Sequence, residues 1–155
     1  MIAAIAVALA SADAENAARY RANAEMVAAR LDALDGELQT TLAPGKRRPF
    51  IVFHDAYQYF DRRYDLDAAG SITVSPERQP GAARLQRLRR KIGELGAVCV
   101  FAEPQFEPTL LQTVVAGTKA RTGTLDYLGA GIPPGPDAYF ATMRALARSL
   151  TDCLQ

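Results

Sequence analysis

The chain carries almost no excess charge of either sign. Its 18 lysines and arginines stand against 17 aspartates and glutamates, a formal net charge of +1, so no bulk field draws it to nucleic acid or to an anionic membrane. Histidine is reduced to a single residue, His54, and no Gly-x-Ser-x-Gly elbow occurs, which leaves a Ser-His-Asp or Cys-His nucleophile without support. The only cysteines, Cys99 and Cys153, form no CxxC pair, excluding a zinc ribbon or a thioredoxin motif. They are either a bridge or two buried thiols, and a bridge would point to an oxidising compartment. No apolar run approaches the roughly 20 residues needed to span a bilayer. The apolar start, MIAAIAVALA, has no basic n-region, the first positive charge being Arg19, so a signal peptide is not expected. The Gly129–Pro136 loop lacks the lysine and spacing of a phosphate-binding loop, and no repeat or low-complexity segment is present.

What remains is an ordinary globular composition, 155 residues of which 49% are hydrophobic, enough for one packed domain. From Asp13 to Ala43 the residues Tyr20, Ala24, Val27, Leu31, Leu34, Leu38 and Leu42 fall on one stripe at helical spacing. Ser11 or Asp13 can cap this helix and Pro44-Gly45 stops it. At about 1.5 Å per residue it would be about 45 Å long, a strut rather than a core helix. Ile2 to Ala10 is apolar nearly all round, an element expected to be covered and able to drive self-association if it is not.

Strand-like and helix-like stretches then alternate. Phe50–Phe53, Ser71–Val74, Ala97–Phe101 and Arg121–Leu125 read as strands. Between and after them come helical patterns at Ala56–Tyr64, Arg84–Leu95 (inner face Leu85, Leu88, Ile92, Leu95), Glu107-Pro108 onward (Leu110, Leu111, Val114, Val115) and a last helix with Phe140, Met143, Leu146, Leu150 and Cys153 inside. The basic cluster Arg84, Arg87, Arg89, Arg90 and Lys91 reads as the solvated face of its helix. The expected fold is α/β: a four-stranded, mainly parallel sheet flanked by helices and preceded by a long linker helix.

His54, Glu103 and Asp126 each stand just past the carboxyl end of a different strand, so a parallel sheet sends all three toward one rim, where such folds bind ligands. An imidazole beside carboxylates suits a divalent ion such as zinc, or manganese if carboxylates predominate. Asp126 read alone is equally a turn residue, Glu103 a helix cap, and His54 a structural hydrogen-bonding group. A small metal-dependent hydrolase using the three is an alternative, although it lacks a general base and a third strong ligand.

Four motifs in order resemble a known family. Phe53-His54-Asp55-Ala56-Tyr57-Gln58-Tyr59-Phe60, then Val74-Ser75-Pro76-Glu77 with Gln79-Pro80-Gly81, then Cys99-Val100-Phe101-Ala102-Glu103-Pro104-Gln105-Phe106, then Gly123-Thr124-Leu125-Asp126-Tyr127-Leu128-Gly129 are similar to successive motifs in the carboxy-terminal half of ZnuA-type periplasmic zinc-binding proteins. These are solute receptors of zinc ABC importers. The resemblance implies one lobe of a two-lobe metal receptor, with residues 1–44 as the inter-lobe helix region and 45–155 as the carboxy-terminal lobe. It also implies a periplasmic, non-enzymatic protein whose partners are an amino-terminal lobe and the importer's membrane permease. His54 then matches the second-lobe histidine ligand, Asp126 a ligand of related receptors, and Glu103 a residue supporting the ligands from behind. The same resemblance favours a disulfide between Cys99 and Cys153. The first-lobe histidines have no counterpart in this sequence, so a partner lobe or a second copy would complete the site.

Overall fold

A computed structural model describes residues 1–73, 81–105 and 108–155. It divides into two compact units, Met1–Gln39 and Thr40–Gln155. The first contains α1 (Ile2–Ala12), a short 3-10 turn at Ala14–Asn16, and most of α2 (Ala17–Leu42). The long helix expected from Asp13 is therefore interrupted at its start. The Asp13 carboxylate explains the break: it accepts from the Asn16 side-chain amide at 2.8 Å and from the Tyr20 hydroxyl at 2.9 Å, which ties the chain into a turn before α2 begins. Ser11 lies inside α1, so the capping role falls to Asp13 alone. Along α2, Tyr20, Ala24 and Val27 are half-buried between exposed neighbours, and Leu31 is half-buried as well, as the stripe predicts. Ile5, Val7 and Leu9 of α1 are exposed.

The second unit is built on β1 (Phe50–Val52), β2 (Ala68–Ser71), β3 (Cys99–Ala102) and β4 (Arg121–Thr124), all parallel in the order β2-β1-β3-β4. The connections are α3 (Gln58–Tyr64), α4 (Ala82–Leu95) and α5 (Pro108–Val115), and α6 (Ala138–Leu154) ends the fold. Side chains alternate across the pleat. Ile51, Phe53, Ile72 and Val100 meet Leu88 and Ile92 of α4 and Leu111 and Val114 of α5 in one buried cluster. Phe50 and Phe101 pack edge to face at 5.6 Å on the other surface, the side from which Cys99 is bonded to Cys153 of α6. Both rings are fully buried, so each contributes several kcal/mol to the fold on the scale of about 3–5 kcal/mol for a core Phe→Ala change.

Three expectations about elements need correction. The second strand lies at Ala68–Ser71 rather than Ser71–Val74, while Val74, with the rest of residues 74–80, lies outside the described residues. Asp65, in the left-handed conformation at φ 56°, ends α3, and the amide of Phe50 already donates to Asp67 O at 3.1 Å. Pairing with β1 thus begins before any β-branched residue; neighbours override propensity here. Helix α3 starts at Gln58, not Ala56, and its Tyr59 is 79% exposed. Leu95, the last residue of α4, is exposed rather than part of its inner stripe. Phe106 and Glu107 lie outside the described residues.

Candidate metal centre

Each residue of interest is placed by the end of a strand. Beyond β1, Phe53 still packs into the core, and the next peptides turn, the amide of Ala56 donating to His54 O at 2.9 Å. His54 is thereby held at the rim with a side chain 13% exposed. Beyond β3 stands Glu103, whose side chain is fully buried. His54 Nδ1 lies 2.7 Å from Glu103 Oε1, and the hydroxyl of buried Tyr57 donates to the same oxygen at 3.2 Å. Beyond β4, the amide of Leu125 continues the pairing with Ala102 O at 2.9 Å and delivers Asp126 and Tyr127 to this rim. The Tyr127 ring lies edge-on to His54 at 5.4 Å and to Tyr57 at 5.9 Å.

The carboxylates are unusual in what they lack. Glu103 Oε2 and Asp126 Oδ1 are buried with no hydrogen-bond partner among the described residues; the second oxygen of Asp126 accepts only a long bond, 3.4 Å, from the Gly131 amide. A buried carboxylate oxygen without a donor is costly. Burial raises Glu103 above the usual carboxylate range against the opposing pull of His54. Burial, then the Glu103 charge, push the Tyr57 phenol well above its ordinary value, with a smaller push from Asp126. These mutual effects mark one electrostatic cluster of an imidazole, two carboxylates and two phenols.

What this cluster can do is receive a positive charge. When the Glu103 carboxylate is ionised it accepts Nδ1–H, which fixes the tautomer that presents the Nε2 lone pair. An Asp126 oxygen without a donor lies on the same rim. The donor set of imidazole nitrogen and carboxylate oxygen fits zinc chemistry. Among the described residues no three His, Cys, Asp or Glu side chains come together as a metal-holding set. The cysteines are no part of this rim: Cys99, the first residue of β3, is bonded to Cys153 with Cα atoms 6.0 Å apart. Sequence reading missed Tyr57 and Tyr127 as members of the cluster. Tyr57 looked like one of several ring positions on a helix face, and the only available signal was its place three residues after the histidine. Among the described residues no helix is long and apolar enough to cross a membrane.

Comparison with known proteins identifies the family and its fold. A high-affinity zinc uptake system protein ZnuA of Brucella abortus is 59% identical over 150 residues, spanning 97% of this chain and 45% of the relative. The protein of the same name from Paracoccus denitrificans is 41% identical over 154 residues, spanning 99% and 47%. The chain thus spans a little under half the length of these curated relatives. Among solved structures, a crystal structure of ZnuA superposes with a TM-score of 0.81 at 31% identity, covering 97% of this chain and 54% of that one. A zinc-bound ZnuA deletion mutant gives 0.77 at 31% identity, covering 97% and 55%. The family model of ZnuA, the periplasmic zinc-uptake complex component A, matches residues 1–153, and the chain belongs to that family.

Proposed function

We propose that this chain is the carboxy-terminal, metal-receiving lobe of a periplasmic zinc receptor that captures zinc with high affinity and delivers it to an ABC importer, without catalysis. In this reading residues 1–44 form the inter-lobe helix region and 45–155 the lobe itself. His54 binds zinc through Nε2, Asp126 supplies an oxygen, and Glu103 and Tyr57 hold the imidazole from behind. The partners are an amino-terminal lobe, which supplies the remaining ligands, and the importer's permease. The observations that carry the reading are a Glu103-held imidazole just past β1 and, just past β4 of the same parallel sheet, a buried Asp126 oxygen with no hydrogen-bond partner among the described residues. Zinc, as cargo, would offset the cost of that oxygen's burial. An incomplete donor set from one lobe also suits a cargo that must be released, because affinity rises with ligand count and enclosure.

Calorimetric zinc titration tests the proposal. Stoichiometric binding to the chain, abolished by His54→Ala and weakened by Asp126→Ala, supports it. Binding that is unchanged in His54→Ala removes it. Zinc-dependent turnover of simple esters or phosphates that His54→Ala abolishes would move the reading to a hydrolase.

A further inference from the structure

Tyr127 sits between two fixed points of the chain. Before it, the amide of Leu125 donates to Ala102 O and the Leu125 side chain is buried. After it, the backbone turns at Gly129, φ 67°, where a Cβ would stand 2.5 Å from Thr142 Oγ1 of α6, and the amide of Ile132 donates back to Gly129 O at 2.9 Å. The loop is pinned to the ladder on one side of the ring and to α6 on the other. Between these points the ring packs against His54 at 5.4 Å and Tyr57 at 5.9 Å.

Exposure falls inward through the cluster: Tyr127 is half-buried, the His54 side chain 13% exposed, Tyr57 buried and the Glu103 side chain fully buried. Tyr127 is therefore its outermost ring. It also lines a hollow of about 470 Å³ with Leu128, Ile132, Tyr139 and Met143, which His54, Tyr57 and Glu103 do not line, so the ring separates that hollow from the His54–Glu103 hydrogen bond. Burial, then the Glu103 charge, raise the Tyr127 phenol above its ordinary value, so the hydroxyl keeps its proton and Tyr127 offers the rim a neutral ring. We propose that Tyr127 is a positioning residue: its ring backs the imidazole against Glu103 and keeps water from the Nδ1–Oε1 hydrogen bond, so that Nε2 keeps one direction on the rim. The consequence for zinc rests on the proposed function; the hold on the imidazole does not. An imidazole free to turn presents its lone pair to a metal for only part of the time, and affinity falls by that fraction.

The test reads exchange of the His54 Nδ1–H proton by NMR in the metal-free protein and zinc affinity by calorimetry. Both are measured on the unsubstituted chain, Tyr127→Ala and Tyr127→Phe, with urea melts showing that each is folded. Tyr127→Ala should speed exchange of that proton by about ten-fold or more and weaken zinc binding by roughly 10–100-fold. Tyr127→Phe keeps the ring and should stay within about three-fold of the unsubstituted chain in both readings. A folded Tyr127→Ala chain with unchanged exchange, or with unchanged zinc affinity, overturns the inference. So does a Tyr127→Phe chain that behaves like Tyr127→Ala, which would assign the effect to the hydroxyl. An Nδ1–H proton that exchanges too fast to detect in the unsubstituted chain does the same. Zinc binding that is absent, or that His54→Ala leaves unchanged, removes the proposed function instead, and exchange of the Nδ1–H proton then decides the inference alone. If Tyr127→Ala does not fold, Tyr127→Val, whose side chain is too short to reach the imidazole, is measured in its place against the same outcomes.

Discussion

Breaking the Cys99–Cys153 bridge should cost the fold about 4 kcal/mol. The two residues are separated by 54 positions; a closed loop of that size removes about 14 cal/mol/K of entropy from the unfolded chain, which is about 4 kcal/mol at room temperature. For a unit of this size the same loss lowers Tm by roughly 10–20 °C. Two perturbations separate the cross-link from the atoms that form it. Reduction keeps both sulfurs buried, so its effect is the loop term, whereas Cys99→Ala/Cys153→Ala also removes side-chain volume next to Phe101 and Gly123 and should cost somewhat more. Urea melts with and without reductant supply the numbers. On the proposed function, zinc binding measured well below the denaturant midpoint should survive, because Cys99 opens β3 while Glu103 follows its other end. A loss under about 1 kcal/mol on reduction would refute the loop argument. A loss of zinc affinity in the still-folded reduced protein would refute the mechanical separation of bridge and rim.

Three further outcomes follow from specific contacts. Asp61 titrates near 7, raised by burial and then by Asp55; an acid whose folded pKa exceeds its unfolded value opposes folding once ionised, so stability should fall as pH rises from about 4 through 7. Because Asp61 is only half-buried, solvent screening reduces the effect to roughly 1–2 kcal/mol, and Asp61→Asn should flatten the slope between urea melts at acidic and alkaline pH. At Gly123 a Cβ would stand 2.6 Å from the Phe101 ring and 3.3 Å from Cys153 Cβ, so Gly123→Ala should destabilise by about 1–3 kcal/mol in the same assay; a neutral result would mean that the ring moves aside freely. Tyr57→Phe deletes the hydroxyl that donates to Glu103. On the proposed function this should weaken zinc binding by less than about ten-fold, since Tyr57 acts on the ligand only through Glu103, and competition with a chelating dye measures it.

Much of the fold was readable in the residues themselves. The Phe50–Phe53, Ala97–Phe101 and Arg121–Leu125 runs carry β-branched or aromatic residues bounded by Gly and Pro, and parallel order follows from helices standing between them. The Ala68–Ser71 strand was not legible. Ala and Gly have no strand preference, and the segment is a strand only because β1 and the turn at Asp65 present it with a partner. At the rim, placement just past the strands could be read, since it depends on strand ends alone. The His54–Glu103 contact was implied only by the family resemblance and not by the residues themselves, because they lie 49 positions apart and their meeting depends on β1 and β3 being neighbours. The basic run on α4 read as a solvated face. Arg87 and Arg90 fit that description, but Arg89 donates to Ala116 O at 2.6 Å, and Arg84 and Lys91 bend back to the strand, a choice set by which neighbouring carbonyls lie within reach.

Every member of the rim cluster except Tyr57 is anchored by the hydrogen-bond ladder rather than by a helix, and this makes the spacing of donors a by-product of how the strands slide against one another. With Phe50 opposite Cys99 and Ala102 opposite Thr124, lengthening a single loop by one residue just after β3 would carry the glutamate away from the imidazole and leave every buried apolar contact in place. On the proposed function, such a protein would keep its core and lose its hold on the metal. Insertions and deletions at these three junctions are therefore a harsher filter on this architecture than most changes of residue type within them.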